Sequence, residues 1–357
     1  MPTYKIILLI ISIIIILIIV GFGIFTYKIN RIGEMISNEM IEYVTRNNDN
    51  AKISIAIINN GEITYKVYGK NGEEEYTTYD YEIGSISKTF LALLISKAIE
   101  EGKINITDSI NKYLNLEEGK YYPTIERLIT HTSGYKSYYL DKQMFINKLS
   151  GENDYSRISK EKIIDKIKDI ELENKDYKFL YSNFGISVLG LVLEEVYDKD
   201  FTTLMNDYIK EELNLNNTVV AKQSGNLDNY WRWDENDGYI PAGAIISNIE
   251  DMSKYLKLQL DTDKKYITNT HNKLKDINAS NYLYEKMNIE MNEVGMAWMI
   301  DSNDNIIWHN GGTGSYNSYI GFNKEKNIGV VVLGNISPFK KIPMTAIGVK
   351  IINELAY

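Results

Sequence analysis

A run of twenty residues near the amino terminus carries no charged side chain. It extends from Ile6 to Phe25, and its only polar residue is Ser12. At a rise of about 1.5 Å per residue, a helix of this length spans about 30 Å, the thickness of the hydrocarbon core of a bilayer. The run is apolar on every side, which does not suit a helix at the surface of a soluble protein. The sequence therefore predicts one transmembrane helix near the start of the chain.

The predicted organisation has three parts: a short tail over residues 1–5, a membrane anchor over residues 6–27 and a folded domain over residues 28–357. No small-residue cleavage site follows the apolar run, so we expect the anchor to stay attached. Basic residues lie on both sides of the run, at Lys5 and Lys28, and the distribution of positive charge therefore does not decide the orientation. The orientation has to follow from the function.

Composition excludes several classes of function. The formal net charge of −9 is spread along the chain, which argues against a nucleic-acid partner because phosphate binding needs clustered Lys and Arg. The chain has no cysteine, so disulfides, thiolate metal sites and a thiol nucleophile are excluded. Its three histidines, His131, His271 and His309, are too few and too scattered for a histidine-rich metal centre. His271 lies in a polar stretch, and we expect it to be exposed.

The pattern of apolar residues predicts a mixed α/β fold. Residues 30–46 have helical spacing, and a β-hairpin follows around Asn60-Gly61. Helical patterns dominate from about 105 to 260, four strands between about 296 and 333 predict an antiparallel meander, and a last helix covers 343–355. The expected fold is an antiparallel sheet flanked by helices, with an inserted, mostly helical subdomain at about 105–260. A cleft between the two parts is the expected place for a site.

The first candidate motif consists of Ser85 and Lys88. Ser85 follows a glycine at the start of a strongly apolar helix, where its hydroxyl lies near the positive end of the helix dipole. Lys88 lies three residues on, on the same face, and a desolvated amine there can accept the serine proton. The spacing alone is weak evidence, because a surface pair would have the same form. It recurs at four other serines: Ser109, Ser133, Ser159 and Ser337.

The second candidate motif is Tyr181-Ser182-Asn183. Its phenol would take part in proton transfer, and its amide would hold an amide of the substrate. The same pattern occurs at Tyr113-Leu114-Asn115. An apolar helix follows Asn183, however, and that helix would pack the motif against a core.

The third candidate motif, His309-Asn310-Gly311, occurs once, at the end of a predicted strand. Glycines at Gly311 and Gly312 would let a substrate approach the strand edge. The main-chain amides of Gly312 and Ser85 could together form an oxyanion hole. The alternative is that His309 merely ends a strand before a glycine-rich turn.

Taken together and in this order, the three motifs resemble the serine β-lactamase and penicillin-binding superfamily. The resemblance is to the branch that contains class C β-lactamases, DD-carboxypeptidases, D-aminopeptidases and related esterases, and it covers about residues 36–357. Four further segments carry it: 82–90 resembles the nucleophile segment of the family, 128–134 its LLTHTSG segment, 241–256 its PAGG stretch with the following EDL, and 295–298 its GLGW strand. In this family the segment that holds His131 is usually structural.

The resemblance implies a role for each motif residue. Ser85 would be the nucleophile, with Lys88 and Tyr181 sharing proton transfer, while Asn183 and His309 would orient the substrate. The reaction would be attack on an amide or ester through a covalent acyl-enzyme, without metal or organic cofactor. Substrates containing D-amino acids, such as cell-wall peptides, are implied. Because these lie outside the cytoplasmic membrane, we expect the catalytic domain to be on the extracytoplasmic side of the plasma membrane.

One departure from the family bears on the substrate. Class C β-lactamases typically have lysine where this chain has His309, and several peptidase and esterase members have histidine. A mostly neutral histidine is a weaker anchor for the carboxylate of a penicillin, although it can donate one hydrogen bond. We therefore expect weak β-lactamase turnover that rises as the pH falls toward 6. The alternatives are a β-lactamase and a sensor or binding protein that does not turn over, and the loops at 135–158 and 222–240 would decide the substrate.

Overall fold

The structure, a computed structural model, describes residues 3–338 and 342–356. Met1 and Pro2, in the predicted tail, lie outside the described residues. The described helices are α1 (Thr3–Glu34), α2 (Ser37–Thr45), α3 (Ser87–Glu100), α4 (Ile125–Ile129), α5 (Lys142–Ser150), α6 (Lys160–Asp169), α7 (Asn183–Tyr197), α8 (Phe201–Asp207), α9 (Ile240–Gly243), α10 (Ile249–Leu260), α11 (Lys265–Thr268), α12 (Tyr282–Lys286) and α13 (Met344–Ala356). The described strands are β1 (Ile53–Asn59), β2 (Glu62–Gly69), β3 (Gly72–Glu74), β4 (Tyr81–Glu82), β5 (Val219–Val220), β6 (Ile245–Ser247), β7 (Lys275–Ala279), β8 (Met291–Val294), β9 (Met299–Asp301), β10 (Ile306–Gly312), β11 (Asn317–Asn323) and β12 (Ile328–Gly334).

A large antiparallel sheet forms the centre of the fold. Within the described residues its order is β3-β2-β1-β12-β11-β10-β9-β8-β7, so the first hairpin pairs with the last strand. The hairpin is tight because Asn60 and Gly61 both adopt positive φ, at 50° and 88°, as a two-residue turn between twisted strands requires. The predicted hairpin and meander are both present. Strands β7 and β8, which the sequence did not predict, extend the meander, and β7 forms its edge.

Both faces of the sheet are covered by helices. In β12, Val331 and Leu333 join the core shared with α3, α7 and α10, whereas Val330 and Val332 join the core beneath α2 and α13. Successive side chains of a strand point to opposite faces, so an unbroken apolar run such as β12 needs a cover on each side. The mixed α/β fold with a large, helix-flanked antiparallel sheet is therefore confirmed.

The stretch predicted as one helix over residues 30–46 is divided in the structure. Helix α1 continues to Glu34, and α2 begins anew at Ser37. Ser37 donates from its main-chain nitrogen and its hydroxyl to the carboxylate of Glu354 on α13, at 2.9 and 2.6 Å. The break thus depends on a contact with the other end of the chain, which local periodicity does not reveal.

Helix α1 contains the run predicted to cross a membrane. The side chains at residues 5–10 and at Ser12, Leu17, Phe22, Ile24 and Phe25 lie outside the described part of the structure. Among the residues that are described, no helix combines the length and the apolar composition needed to cross a membrane. The transmembrane helix therefore stays a prediction from the sequence.

The stretch predicted as a helical subdomain, about 105–260, contains α4 to α10 and two strands of a small second sheet. That sheet has the order β4-β6-β5, and it joins the segment just before Ser85 to the insertion. Helix α3 packs against α7 and α9 of the insertion with most of its side chains buried, and the turn that leads into it packs against β10. The start of α3, the start of α7 and strand β10 therefore meet at one place.

Candidate active site

Ser85 lies in a short 3-10 turn, Gly84–Ile86, that leads directly into α3. The turn packs against β10 so closely that a Cβ atom on Gly84, whose φ is 51°, would lie 2.6 Å from the main-chain nitrogen of Gly312. A Cβ atom on Gly311 would overlap the carbonyl oxygen of Ile83. The glycines therefore allow the nucleophile turn and the strand to touch, and Ser85 and Gly312 both line one cleft.

Lys88 is in hydrogen-bond contact with the Ser85 hydroxyl. Its Nζ lies 2.8 Å from Ser85 Oγ and donates a hydrogen bond of 2.6 Å to the carbonyl oxygen of Ala242. The side chain has no exposed surface, and no carboxylate pairs with it among the described residues. Burial holds the pKa of Lys88 well below its usual 10.5. A neutral amine in this position can accept the Ser85 proton.

The Tyr181 ring also lies close to the Lys88 amine. Lys88 Nζ is 5.0 Å from the centre of the Tyr181 ring, and the rings of Tyr181 and His309 are 6.1 Å apart. The Tyr181 hydroxyl is buried and has no hydrogen-bond partner within the described part of the chain. Burial raises the pKa of Tyr181, and the nearby Ser85 hydroxyl opposes the increase, so the phenol is protonated at neutral pH and faces the nucleophile.

Asn183 is the first residue of α7. The helix is capped by Ser182, whose hydroxyl accepts a hydrogen bond of 2.8 Å from the nitrogen of Gly185. Asn183 donates from Nδ2 to the hydroxyl of Tyr155 at 2.8 Å, while its Oδ1 is buried without a described partner. The amide thus presents a carbonyl oxygen that can accept a hydrogen bond from a substrate N–H.

His309 is buried in β10, and the structure corrects two expectations about it. Burial first, and then the nearby Lys88, lower the pKa of His309 to about 3, so the ring gains no charge at pH 6. Its Nδ1 donates a hydrogen bond of 2.6 Å to the carbonyl oxygen of Asn310, and the neutral ring therefore has only an acceptor at Nε2. In this tautomer His309 cannot donate to a substrate carboxylate, and the predicted rise of β-lactam turnover toward pH 6 has no basis at this residue.

His131 forms a second layer behind Tyr181. The ring centres are 4.6 Å apart, and His131 Nδ1 accepts a hydrogen bond of 3.2 Å from the main-chain nitrogen of Ser182. The residue is buried and adopts a φ of 59°, a left-handed conformation that is uncommon for histidine. Burial, Lys88 and His309 lower its pKa, so the ring is neutral. His131 therefore positions the Tyr181-Asn183 motif, in agreement with its expected structural role.

His271, which we expected to be exposed, is buried. Its Nε2 is 2.9 Å from Oε1 of Gln259, and its ring packs edge-on against Trp298 and Phe322. The expectation was wrong because these partners come from α10 and the sheet, not from the polar stretch around His271.

The cleft at Ser85 has a volume of about 410 Å³. Its outer walls are aromatic, which the motifs gave no sign of, and they come from the two predicted specificity loops: Tyr155, Trp231, Trp233 and Tyr239. The rings of Tyr155 and Tyr239 are stacked at 4.6 Å. Such walls favour an apolar or ring-containing portion of a substrate.

Glu82 connects the cleft walls to the nucleophile segment. Its carboxylate accepts hydrogen bonds of 2.5 Å from the nitrogen of Trp231 and from the hydroxyl of Thr313, and both of these residues line the cleft. Burial raises the pKa of Glu82 to about 7, while the two hydrogen bonds oppose the increase. Within residues 3–338 and 342–356, no group of carboxylates and histidines has the arrangement of a metal site.

Solved structures of other proteins have a similar fold. The solved structure of an octameric penicillin-binding protein homologue from Pyrococcus abyssi matches with a TM-score of 0.68 and 25% identity, covering 85% of this chain and 73% of that chain. A β-lactamase/D-alanine carboxypeptidase from Yersinia pestis matches with a TM-score of 0.73 and 18% identity, covering 93% of this chain and 99% of that chain. The second likeness shows the fold alone.

Sequence comparison adds a curated relative and a family. Protein flp of Staphylococcus aureus strain MW2 is 26% identical over 318 residues, which cover 80% of this chain and 59% of that protein. The chain thus spans 59% of the length of this relative. The family model described as Beta-lactamase matches residues 41–347, which include all three motifs. The chain therefore belongs to the Beta-lactamase family, within the superfamily that its motifs resemble.

Proposed function

We propose that this protein is a serine acyl hydrolase or transferase that forms an acyl-enzyme on Ser85. One observation carries the proposal: the amine of Lys88, whose pKa burial holds well below 10.5, lies 2.8 Å from the Ser85 hydroxyl. A serine hydroxyl is a weak nucleophile until a base takes its proton, and this amine is placed to do so. The family supports the same chemistry.

The remaining motif residues have complementary roles in the proposed reaction. Ser85 Oγ attacks the carbonyl carbon as Lys88 takes its proton, and the amides of Ser85 and Gly312 stabilise the negative charge on the oxygen. Tyr181 donates its phenolic proton to the leaving amine or alcohol and regains the proton that Lys88 took, since Lys88 Nζ lies 5.0 Å from the centre of its ring. Asn183 Oδ1 accepts a hydrogen bond from an amide of the substrate. Water, or another acceptor, then releases the acyl group.

The proposed substrates are amides or esters of the cell-wall type that contain D-amino acids. The support comes from His309, which is neutral and lacks a free donor, so β10 offers no cation at the position where a lysine would suit an anionic penicillin. The Yersinia pestis structure, described as a β-lactamase/D-alanine carboxypeptidase, is consistent with activity on D-alanyl groups in this fold. A β-lactamase stays the runner-up.

We further propose that residues 6–27 anchor the protein in the plasma membrane, with the domain 28–357 on the extracytoplasmic side, where such substrates occur. The aliphatic side chains described in this part of α1 are exposed, from Ile11 at 46% to Ile19 at 64%. Among the described side chains of α1, only Ile32, near the carboxyl end, is buried against the domain. A helix that is apolar on every side is typical of a buried position or of a membrane span.

The test is acylation of the full-length protein by a labelled penicillin, followed by mass spectrometry over time, beside hydrolysis of a chromogenic cephalosporin and a panel of D-alanyl peptides and esters. We expect a slowly formed adduct on Ser85, absent in Ser85→Ala, and turnover of panel members. An adduct on Ser109, Ser133, Ser159 or Ser337 would refute the nucleophile. A stable adduct without any turnover would instead favour a sensor.

A further inference from the structure

An open groove of about 580 Å³ lies beside the Ser85 cleft. Its lining is mainly apolar and comes from α5 and the segments on either side of it: Tyr138, Leu140, Met144, Phe145, Leu149 and Tyr155. Leu140 is 90% exposed, Leu149 74% and Phe145 65%. Single exposed apolar residues are ordinary, but a contiguous group of large ones around a concave surface is typical of a binding site.

The groove is fixed in shape by the interior of the protein. Asn147, on the opposite face of α5, is fully buried and donates from Nδ2 to the carbonyl oxygen of Ser156 at 2.7 Å. Asp141 caps the start of the helix by accepting from the nitrogen of Gln143 at 2.6 Å. The helix is thus held by buried polar contacts while its apolar side chains face solvent, an arrangement that packing of the fold does not require.

The groove is continuous with the site of reaction. Lys148, Asp154 and Tyr155 line both the groove and the Ser85 cleft. Tyr155 forms the shared wall, and its hydroxyl accepts the hydrogen bond from Asn183. A ligand in the groove therefore extends from the place where the motif residues hold the reacting group. This continuity makes the substrate itself, instead of a separate partner, the occupant that fits best.

We propose that the groove binds the apolar chain of an amphiphilic substrate whose polar end carries the ester or amide that Ser85 attacks. The inference rests on the function proposed for Ser85 and adds the substrate class. For an ester, Ser85 Oγ bonds to the carbonyl carbon, the bond to the alcohol oxygen breaks, and the alcohol leaves with the proton taken from Ser85. Water then cleaves the acyl-serine ester and releases the acid.

The test compares two series of esters with the full-length protein in digitonin, below the concentrations at which the substrates aggregate. p-Nitrophenyl alkanoates from acetate to decanoate vary the acyl chain, and alkyl esters of D-alanine vary the alcohol chain. Each buried methylene adds up to about fourfold to kcat/KM, so one series should rise with chain length until the groove is filled. The series that rises tells which side of the scissile bond lies in the groove.

Variants then locate the effect. In the series that rises, Phe145→Ser and Leu149→Ser should each lower the ratio of kcat/KM for the longest chain to that for the shortest by about tenfold, since each removes apolar area from the groove. Ile146→Ser is the matched control, because Ile146 is on the same helix and 43% exposed but does not line the groove. Ile146→Ser should leave the ratio unchanged. All variants are measured in the same detergent, so an effect of the detergent on long-chain substrates is the same for each of them.

A binding measurement keeps the inference separate from the proposed function. If the acyl series rises, decanoyl-D-alanine amide should bind to the Ser85→Ala protein at least about tenfold more tightly than acetyl-D-alanine amide in calorimetry, and if the alcohol series rises, the decylamide of D-alanine should exceed its ethylamide in the same way. Equal affinities, or ratios insensitive to Phe145→Ser and Leu149→Ser, would overturn the inference. If these variants change the oligomeric state and leave the ratio of kcat/KM between long and short chains unchanged, the groove belongs to an interface with a second copy of the chain. That result would also overturn the inference. Tight binding of the long chain without hydrolysis of any ester would overturn the proposed function alone.

Discussion

Lys88 Nζ donates a hydrogen bond of 2.6 Å to the main-chain carbonyl oxygen of Ala242 while it lies 2.8 Å from Ser85 Oγ. A carbonyl oxygen can only accept, so one proton of the amine is directed toward Ala242. The lone pair of the neutral amine is thereby free to face Ser85. Ala242 belongs to α9, outside the three motifs, and it orients the base of the proposed reaction.

Replacement of Lys88 by methionine should slow acylation of Ser85 by about 10²–10⁴-fold, because a positioned base is typically worth that factor. Methionine has a similar length and avoids both a cavity and a buried charge. The measurement is the rate of adduct formation with a labelled penicillin, with circular dichroism to check the fold. An unchanged rate in a folded variant would remove Lys88 from the mechanism.

The rate of penicillin acylation should not vary with the ionisation of His309 between pH 6 and 8, because the pKa of His309 is about 3. His309→Lys should raise the acylation rate by an anionic penicillin relative to a neutral ester at pH 7, since it adds a cation for the carboxylate. His309→Gln is the neutral control and should not raise it. A penicillin rate that rises toward pH 6 in the wild type but not in His309→Gln would contradict the low pKa.

The same low pKa predicts a contribution to acid sensitivity. The unfolded chain binds a proton at His309 below its ordinary pKa of about 6.5, whereas the folded protein does not until about 3. The unfolding free energy therefore falls as the pH drops from 6.5 toward 3. Denaturant titrations at pH 7 and 5 should give a smaller loss for His309→Gln than for the wild type. An identical loss in both proteins would exclude His309 from this effect.

Asn183→Ala should lower kcat/KM on a D-alanyl peptide by about tenfold to 100-fold, since it removes a buried hydrogen-bond acceptor for the substrate. An ester without an N–H group at that position should be affected much less. Tyr155→Phe is a useful comparison, because it removes the hydroxyl that Asn183 contacts and keeps Asn183 itself. Equal losses on peptide and ester would mean that Asn183 only supports the fold.

Gly311→Ala should destabilise the protein by about 1–3 kcal/mol and also impair acylation, because the added methyl group overlaps the Ile83 carbonyl oxygen and separates β10 from the nucleophile turn. Gly243→Ala is the matched control, since a Cβ atom there would meet nothing closer than 3.7 Å. Thermal unfolding and acylation rates check both. Equal behaviour of the two variants would contradict the close contact.

Deletion of residues 1–27 should release a folded protein from the membrane fraction to the soluble fraction. The reason is that the charge-free run in this part of the chain is its only stretch of membrane length. Fractionation of both forms, with circular dichroism of the shorter one, is the measurement. An unprocessed full-length chain in the soluble fraction would disprove the anchor.

The sequence predicted those parts of the fold that depend on neighbours along the chain. The hairpin at Asn60-Gly61 and the last meander follow from turn chemistry and period-two alternation. The helices that follow Ser85 and begin at Asn183 were also predictable, because their apolar residues have helical spacing. The break between α1 and α2 was missed because it depends on Glu354, and the burial of His271 because its partners are distant in sequence.

The motif residues of the candidate site were predictable from the sequence, but the residues that surround them were not. Ser85, Lys88, Tyr181, Asn183 and His309 do come together in the structure. The tautomer of His309 depends on the local conformation of β10, and the hydrogen bond from Trp231 to Glu82 joins residues that are far apart in sequence. The aromatic walls come from loops whose conformation no periodic pattern specifies.

The pairing of β1 with β12 has a consequence for biosynthesis. Each of the seven residues of β1, Ile53 to Asn59, pairs with a residue of β12, whose partners run from Ile328 to Gly334. A ribosome delivers β1 long before β12, so the middle of the sheet cannot close until β12 has been made. Strand β10, which carries His309 and Gly312, is held in place through β11 and β12. The nucleophile therefore acquires its full surroundings only after β12 has been synthesised and has paired with β1 and β11.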